Sequence, residues 1–286
     1  MTISGGIDLH LHTSVSDGSL TPAELVREAA ARGVGLIAIT DHDTTDGIAE
    51  GVTAGSELGV TVIPGVELAA DSAVHDIHLL GYYLRWEDTD LQSALAHLRE
   101  QRDARNALIL EKLYGLRLPL DPARVQEISG GGSVGRPHIA AAMVEAGYVA
   151  SQGEAFWRYL GRGKPAFVAR FQLQPAEACR IMKAAGGFAV LAHAAKVGSW
   201  DVIREAIADG IEGLEVYHRD HSAAEAESLL KFARERSLLV TGGTDSHGPR
   251  SDRMTTVGDV SLPAWVGEEF LAHAPAWWRE RFAAPA

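Results

Sequence analysis

Positions 10 and 12 are both histidine, one leucine apart in the segment IDLHLH. The segment reads as a β-strand, in which side chains two residues apart share a face. Two imidazoles on one face can bind the same metal ion. Alone, the pair fits two solvated or internally bonded histidines equally well. Its company changes that. Asp17 follows in SVSDGS, and Asp41, His42 and Asp43 close a β-rich run. Glu67 sits in VIPGVE, His78 in DIHLLGY, His193 ends VLAH, and Asp245 and His247 lie in GGTDSH. Buried carboxylates are costly unless they are paired or coordinated, so several in one place imply cations.

The elements that carry these residues repeat one pattern: a capped amphipathic helix, a break at glycine, a short apolar strand, then a histidine or acid. In LTPAELVREAAARGVGLIAITDH, Thr21 can cap, Pro22 suits the first helical turn and Gly33 ends the helix. The same pattern delivers His193, His218, and the pair Asp245 and His247. Alternating helices and apolar strands imply parallel pairing with burial on both faces. Seven such strands point to a closed or nearly closed β/α barrel, whose chemistry sits at the C-terminal strand ends. An open doubly wound sheet has the same periodicity and stays open as a topology.

Between residues 87 and 168 no strand is evident. LQSALAHLREQRDARNALILEKLYGL reads as a long helix, with Leu91, Leu95, Leu98, Leu108 and Leu113 near helical spacing. DPARVQEIS reads as a helix capped by Asp121, and the Gly-rich GGGSVGRPHIAAAMVEAGYVA leads into another with Pro137 near its start. The expected organisation is a discontinuous barrel, 1–86 and 169–286, with 87–168 as a helical lid over its C-terminal face. The C-terminal AWWRERF reads as an amphipathic helix packing its tryptophans against the core, or against a second copy.

Composition narrows the function. The 286 residues carry a net charge of −12, which disfavours grip on long nucleic acid. There is a single cysteine, Cys179, so no internal disulfide forms; we expect core filler and a reducing, cytoplasmic setting. No basic-then-apolar leader opens the chain and no apolar run is long enough for a bilayer, so no membrane partner is expected.

On the segments HLHT (His10 to Thr13), SDGS (Ser16 to Ser19), TDHD (Thr40 to Asp43), GVE (Gly65 to Glu67), AH (Ala192, His193) and TDSH (Thr244 to His247), the sequence resembles the polymerase and histidinol phosphatase (PHP) superfamily. The resemblance implies a distorted seven-stranded, TIM-like β/α barrel holding three divalent metal ions. It assigns one ion to His10, His12, Glu67 and Asp245, a second to Glu67, His78 and His193, and a third to Asp17, His42 and His247. None of these ligands is missing, so the resemblance implies an active hydrolase. Three divalent ions against three carboxylates leave the site positive, which suits a phosphate ester attacked by a metal-bound hydroxide. Mixed imidazole and carboxylate ligands suit manganese, iron or zinc; the resemblance favours Mn²⁺.

Phosphate recognition needs donors beyond the metals. Arg136 and His138 start a helix, where free N–H groups favour anions. Lys164 lies in a Gly-rich loop, Arg170 follows it, and Arg102 and Arg105 share one side of the long helix. Ser133 can donate to phosphate or serve a turn. His218 ends a strand outside the metal pattern, as a phosphate contact, an acid for the leaving group, or a support for the ligands. His75, His97, His221 and His273 are expected to be solvated. The GRPHIA segment after the HxLGY strand resembles the PHP branch acting on nucleotides. That branch implies hydrolysis of the 3′-phosphate of nucleoside 3′,5′-bisphosphates, with the small nucleotide as partner, or trimming of a short oligoribonucleotide from its 5′ end. A histidinol-phosphate phosphatase would need a carboxylate for the substrate amine that the sequence does not offer outside the metal set. A non-catalytic metal-binding interaction domain is the reading from another class.

Overall fold

The computed structural model describes residues 5–71, 76–130, 133–169, 173–249 and 255–282. Seven strands form one sheet in chain order: β1 (Gly6–Leu11), β2 (Val34–Ile39), β3 (Thr61–Asp71), β4 (Asp76–Tyr82), β5 (Phe188–Leu191), β6 (Gly213–His218) and β7 (Leu239–Gly243). Between β1 and β2 runs α1 (Pro22–Ala31), where Thr21 and Glu24 form the capping box and Leu25, Val26 and Ala29 are buried. Gly33 follows at φ 70°, a left-handed turn that glycine adopts without a Cβ clash. α2 (Ile48–Leu58) leads into β3.

Pairing is parallel except around β4, which runs antiparallel to both β3 and β5. This corrects the expectation of uniform parallel pairing. Residues 72–75 are the whole link between β3 and β4, whereas a parallel crossover needs about a dozen residues or more. The helix–strand alternation was broken there, and the pairing follows the link.

The sheet curls until β1 meets the chain beyond β7. Asp245 N donates to His10 O and His12 N donates to Ser246 O, each at 3.0 Å. Tyr82 on β4 donates its hydroxyl across to Leu9 O on β1, 2.8 Å away, a reach that only a curled sheet permits. Asp8 completes the seam from inside the protein. Its carboxylate accepts from Thr244 N, Thr244 Oγ1 and Gly258 N at 2.7–3.0 Å. Burial pushes this carboxyl up to about 6 even so.

One apolar cluster joins Leu9, Leu36, Ile63, Leu80, Tyr82 and Val190 to Phe270, Ala274 and Trp278 of α10 (Ala264–Ala272), α11 (Ala276–Phe282) and the turn between them. Tyr83 stacks on Phe270 and meets Trp278 edge-on. These helices therefore plug the end where the parallel strands begin, and both tryptophans of AWWRERF pack inward, with Trp277 donating to Gly186 O. Outside the sheet lie α7 (Pro175–Ala184), α8 (Trp200–Ala208) and α9 (Ala223–Glu235). Cys179 on α7 is buried, and burial pushes its thiol up to about 12, so it is an inert core residue.

The segment between β4 and α7 contains only helices among the described residues: α3 (Thr89–Gly115), α4 (Pro122–Ile128), α5 (Arg136–Glu145), α6 (Gln152–Ala155) and a π-turn over Phe156–Leu160. The first turns of α3 pack Leu91 and Leu95 on the barrel. Its last turns place Ile109 and Leu113 in a separate cluster with Val125, Ile139, Met143 and Leu160. Leu108, expected on the apolar face, is exposed, and Ile109 takes that place. No described helix is long and apolar enough to cross a membrane.

Because Asp8 receives only donors, Asp8→Asn sets an amide N–H₂ against a group that also donates. Urea unfolding should show a loss of about 1–3 kcal/mol; an unchanged midpoint would remove Asp8 from the seam.

Candidate metal centre

The side chains singled out from the sequence converge at the end of the barrel opposite the aromatic plug. His10 and His12 are fully buried, with ring centroids 5.2 Å apart. Glu67 stands in the middle. Its Oε2 lies 3.2 Å from His12 Nε2, 3.5 Å from His10 Nε2 and 3.2 Å from His42 Nδ1. Its Oε1 lies 2.7 Å from His78 Nδ1 and 3.4 Å from His193 Nε2. Asp245 Oδ1 approaches His12 Nε2 and His10 Nε2 at 3.3 and 3.6 Å. On the outer side, Asp17 faces His247 Nε2 at 3.3 Å and His42 Nε2 at 3.8 Å.

Short loops make this convergence possible, and buried polar groups hold them. Asp41 accepts from Thr13 N, Thr13 Oγ1 and Ser16 Oγ at 2.6–2.7 Å, tying together the segments HLHT, SDGS and TDHD. A Cβ on Gly18 would stand 2.5 Å from His12 O, so glycine is needed where that loop folds back. Asp43, His193 and Asp245 all have left-handed backbone, with φ of 54°, 34° and 51°. Such conformations cost about 1–3 kcal/mol each in non-glycine residues and persist where surroundings enforce them.

Whether these residues suit cations can be judged from the atoms left over. His10 Nε2, His12 Nδ1 and Nε2, His42 Nδ1, Glu67 Oε2 and His218 Nε2 are buried and make no hydrogen bond. Each such orphan costs about 1–3 kcal/mol, and here they surround shared points. Within 4.8 Å of one another lie donor atoms of His12, Asp17, His42 and His247, of His10, His12 and Glu67, of His10, Glu215 and His218, and of His42, Glu67 and His78. These groups overlap the sets implied by resemblance but share His12 and His42 differently. Divalent cations would satisfy the orphaned atoms. Without cations, protons take that role at His10 and His12 but not at His42, which burial pushes down to about 3. Burial opposes charge on His10 and His12, yet the facing carboxylates overcome it, raising His10 and pushing His12 up to about 10. The neighbouring histidines hold Asp17, Glu67 and Asp245 well below the usual carboxylate range despite burial.

His218 is buried. Its Nδ1 accepts from Asp220 N at 3.1 Å and its Nε2 lies 3.6 Å from Asp245 Oδ2. Among the residues expected to bind substrate, Arg102 is within electrostatic range of Asp17 and Glu67. It pairs with Asp43 through Nε at 2.9 Å and through NH2, and its NH1 would lie 3.8 Å from a Cβ on Gly135, at the start of α5. His138, on the first turn of α5, is within electrostatic range of Asp17 and His247. Its Nδ1 accepts from Gly135 N. Arg105 is buried and donates to Val168 O. Arg136 stands over the Phe156 ring and reaches Leu160 O, and Lys164 stands over the Trp157 ring, so both lie against the π-turn. Ser133 is half-buried ahead of α5. Arg170 and His75 lie outside the described residues. His97 is exposed. His273 meets Glu212 at 3.4 Å. His221 is not solvated as expected: it is half-buried, accepts from Ala195 N and donates to Val216 O.

Glu215 escaped the sequence reading. It is fully buried on β6, accepting from His10 Nδ1 at 2.9 Å and from His193 N at 2.5 Å. The signal was present: a carboxylate inside the apolar run GLEVYH is out of place unless paired.

Comparison with known proteins agrees with this geometry. A model of the PHP domain matches residues 8–119. A 5′-3′ exoribonuclease of Haemophilus influenzae is 35% identical over 269 residues, covering 90% of this chain and 97% of the relative. A 3′,5′-nucleoside bisphosphate phosphatase of Chromobacterium violaceum is 32% identical, covering 85% of this chain and 87% of the relative. A solved structure from Bifidobacterium adolescentis, described as a metal-dependent phosphoesterase, superposes with a TM-score of 0.84 at 32% identity over 94% of this chain and 96% of that one. For the metal centre the expected outcome is direct: Mn²⁺ raises the melting temperature of chelator-treated protein, by about 2.7 kcal/mol of stability at a hundredfold excess over Kd. The gain shrinks as pH falls below about 10, because His12, and His10 with it, must give up a proton to bind a cation; a pH-independent gain, or none, would contradict it. The chain thus belongs to the PHP family and is a metal-dependent phosphoesterase, a hydrolase acting on phosphoesters.

Proposed function

We propose that the enzyme hydrolyses the 3′-phosphate of nucleoside 3′,5′-bisphosphates, giving the nucleoside 5′-monophosphate and phosphate. One observation carries this reading: Arg102 and the first turn of α5 meet beside the Asp17–His42–His247 group. A guanidinium and a helix N-terminus form an anion site, separate from the donors themselves, as a substrate with two phosphates requires. The nine residues His10, His12, Asp17, His42, Glu67, His78, His193, Asp245 and His247 would hold three divalent cations, with Mn²⁺ first in order. Bound cations would activate water and draw charge from the phosphoryl oxygens.

The chain's own groups do the rest. Burial lowers the pKa of His138, so its ring is neutral at neutral pH. With Nδ1 accepting from Gly135 N, its proton resides on Nε2, where it can donate to a phosphate oxygen. His218 has the same arrangement, its Nε2 proton directed at Asp245, and we read it as a support for that carboxylate rather than as the acid. Arg136 and Lys164, farther out on the π-turn, would meet the distal end of the substrate.

A second reading rests on the 35% identity to an exoribonuclease. Release of a 5′-mononucleotide from RNA breaks the same bond, from phosphorus to the 3′-oxygen of a 5′-phosphorylated nucleotide. The two readings differ only in what else the phosphorus carries. The net charge of −12 favours a nucleotide or short oligonucleotide over a long polymer, and the lone cysteine fits the cytoplasm.

With Mn²⁺, phosphate release from a nucleoside 3′,5′-bisphosphate should be faster than mononucleotide release from 5′-phosphorylated short RNA or phosphate release from histidinol phosphate. Turnover of RNA alone would overturn the order, and turnover of none would sink the proposal. Arg102→Ala should raise KM for the bisphosphate about 10- to 100-fold, the worth of a hydrogen bond to a charged group, with a smaller change in kcat. An unchanged KM would remove Arg102 from the second phosphate.

A further inference from the structure

We infer that Glu215 is the positioning residue of the metal centre: from β6 it presets His10, through its ring, and His193, through its backbone. This rests on reading both histidines as metal donors. Glu215 faces the Nδ1 edge of His10, while Nε2, on the opposite side of the ring, faces Glu67 and Asp245. Glu215 thus lies behind His10 as seen from Glu67 and Asp245, with His218 as its other neighbour among the potential donors. A ring that donates through Nδ1 keeps its lone pair on Nε2, the atom turned to the centre. The other carboxylate oxygen takes the N–H of His193, whose φ of 34° is unfavourable for any side-chain-bearing residue. That turn brings His193 Nε2 to 3.4 Å from Glu67 Oε1. His221 secures the following turn from the same strand end, accepting from Ala195 N and donating to Val216 O. One carboxylate therefore joins donors of β1 and of the turn after β5, which approach Glu67 from its two oxygens.

Both partners of Glu215 donate, so Glu215→Gln must lose one of them: its amide offers one acceptor and one donor where two donors arrive. In chelator-treated protein titrated calorimetrically with Zn²⁺, the variant should bind about 10- to 100-fold more weakly than the wild type. Long-range ¹H–¹⁵N spectra of the Zn²⁺-loaded wild type should show a slowly exchanging His10 Nδ1 proton, weakened or lost in the variant. Binding within about twofold of the wild type, against that expectation, would overturn the role. So would a wild-type His10 that carries its proton on Nε2, a result that needs no variant and decides the matter if Glu215→Gln fails to fold. Glu215→Asp, which keeps the charge but shortens the reach, should recover less affinity for Zn²⁺ than the wild type and more than Glu215→Gln; equality with Gln would overturn the account by carboxylate acceptance. A wild type that binds no Zn²⁺ removes the metal-centre reading itself, whereas normal wild-type binding with an unaltered variant removes only Glu215.

Discussion

Everything in this fold answers to one electrostatic constraint: imidazoles and carboxylates are packed into one end of a barrel without enough hydrogen-bonding partners among themselves. Left alone, such a cluster would pull in water or spread apart. It stays together because three further carboxylates, none of them read as donors, spend their oxygens on backbone and side-chain donors around it. Asp8 closes the seam beside β1, Asp41 gathers the loops after β1 and β2, and Glu215 braces His10 and His193. The site's frustration is compensated locally, one strand end at a time. The aromatic plug at the opposite end supplies a stiff base for the strands.

Much of this was legible in the residue order. Strands delivering a histidine or acid at their ends stand out because apolar runs rarely finish on such groups, and the helix caps at Thr21 and Pro22 obey local rules. The direction of β4 was less accessible, since it depends on a short link, and pattern alone suggested a crossover. Glu215 was overlooked for a different reason. It belongs to a strand whose more conspicuous end residue, His218, drew the attention, and its partners come from β1 and the end of β5, far away in sequence. The fate of the insertion's arginines was also hidden: Arg102 and Arg105 are three residues apart, yet one reaches Asp43 and the other a carbonyl at Val168. Helical spacing gives a common side, and only tertiary contacts divide it.

The long helix α3 connects these two regions mechanically. Its beginning is built into the barrel core and its end into the small core of the insertion. Arg99 and Arg102 lie between, fastened to the carbonyl and carboxylate of Asp43. The donors at the strand ends and the cationic edge of the insertion are therefore held by one rigid rod. Changes in the outer cluster can alter what reaches the donors while leaving the barrel core intact.

The seam between β1 and the chain beyond β7 carries a consequence for how the protein is made. His10 leaves the ribosome before Asp245, whose N–H meets its carbonyl and which emerges more than two hundred residues later. The chain segments bearing Glu67 and His78 pass by in between with their acids and imidazoles exposed. Only when the last strand docks does the ring of donors exist. A chain that stops short of Asp245 therefore carries most of the metal-seeking groups but not their arrangement, and hydrolytic competence waits for the segment beyond β7.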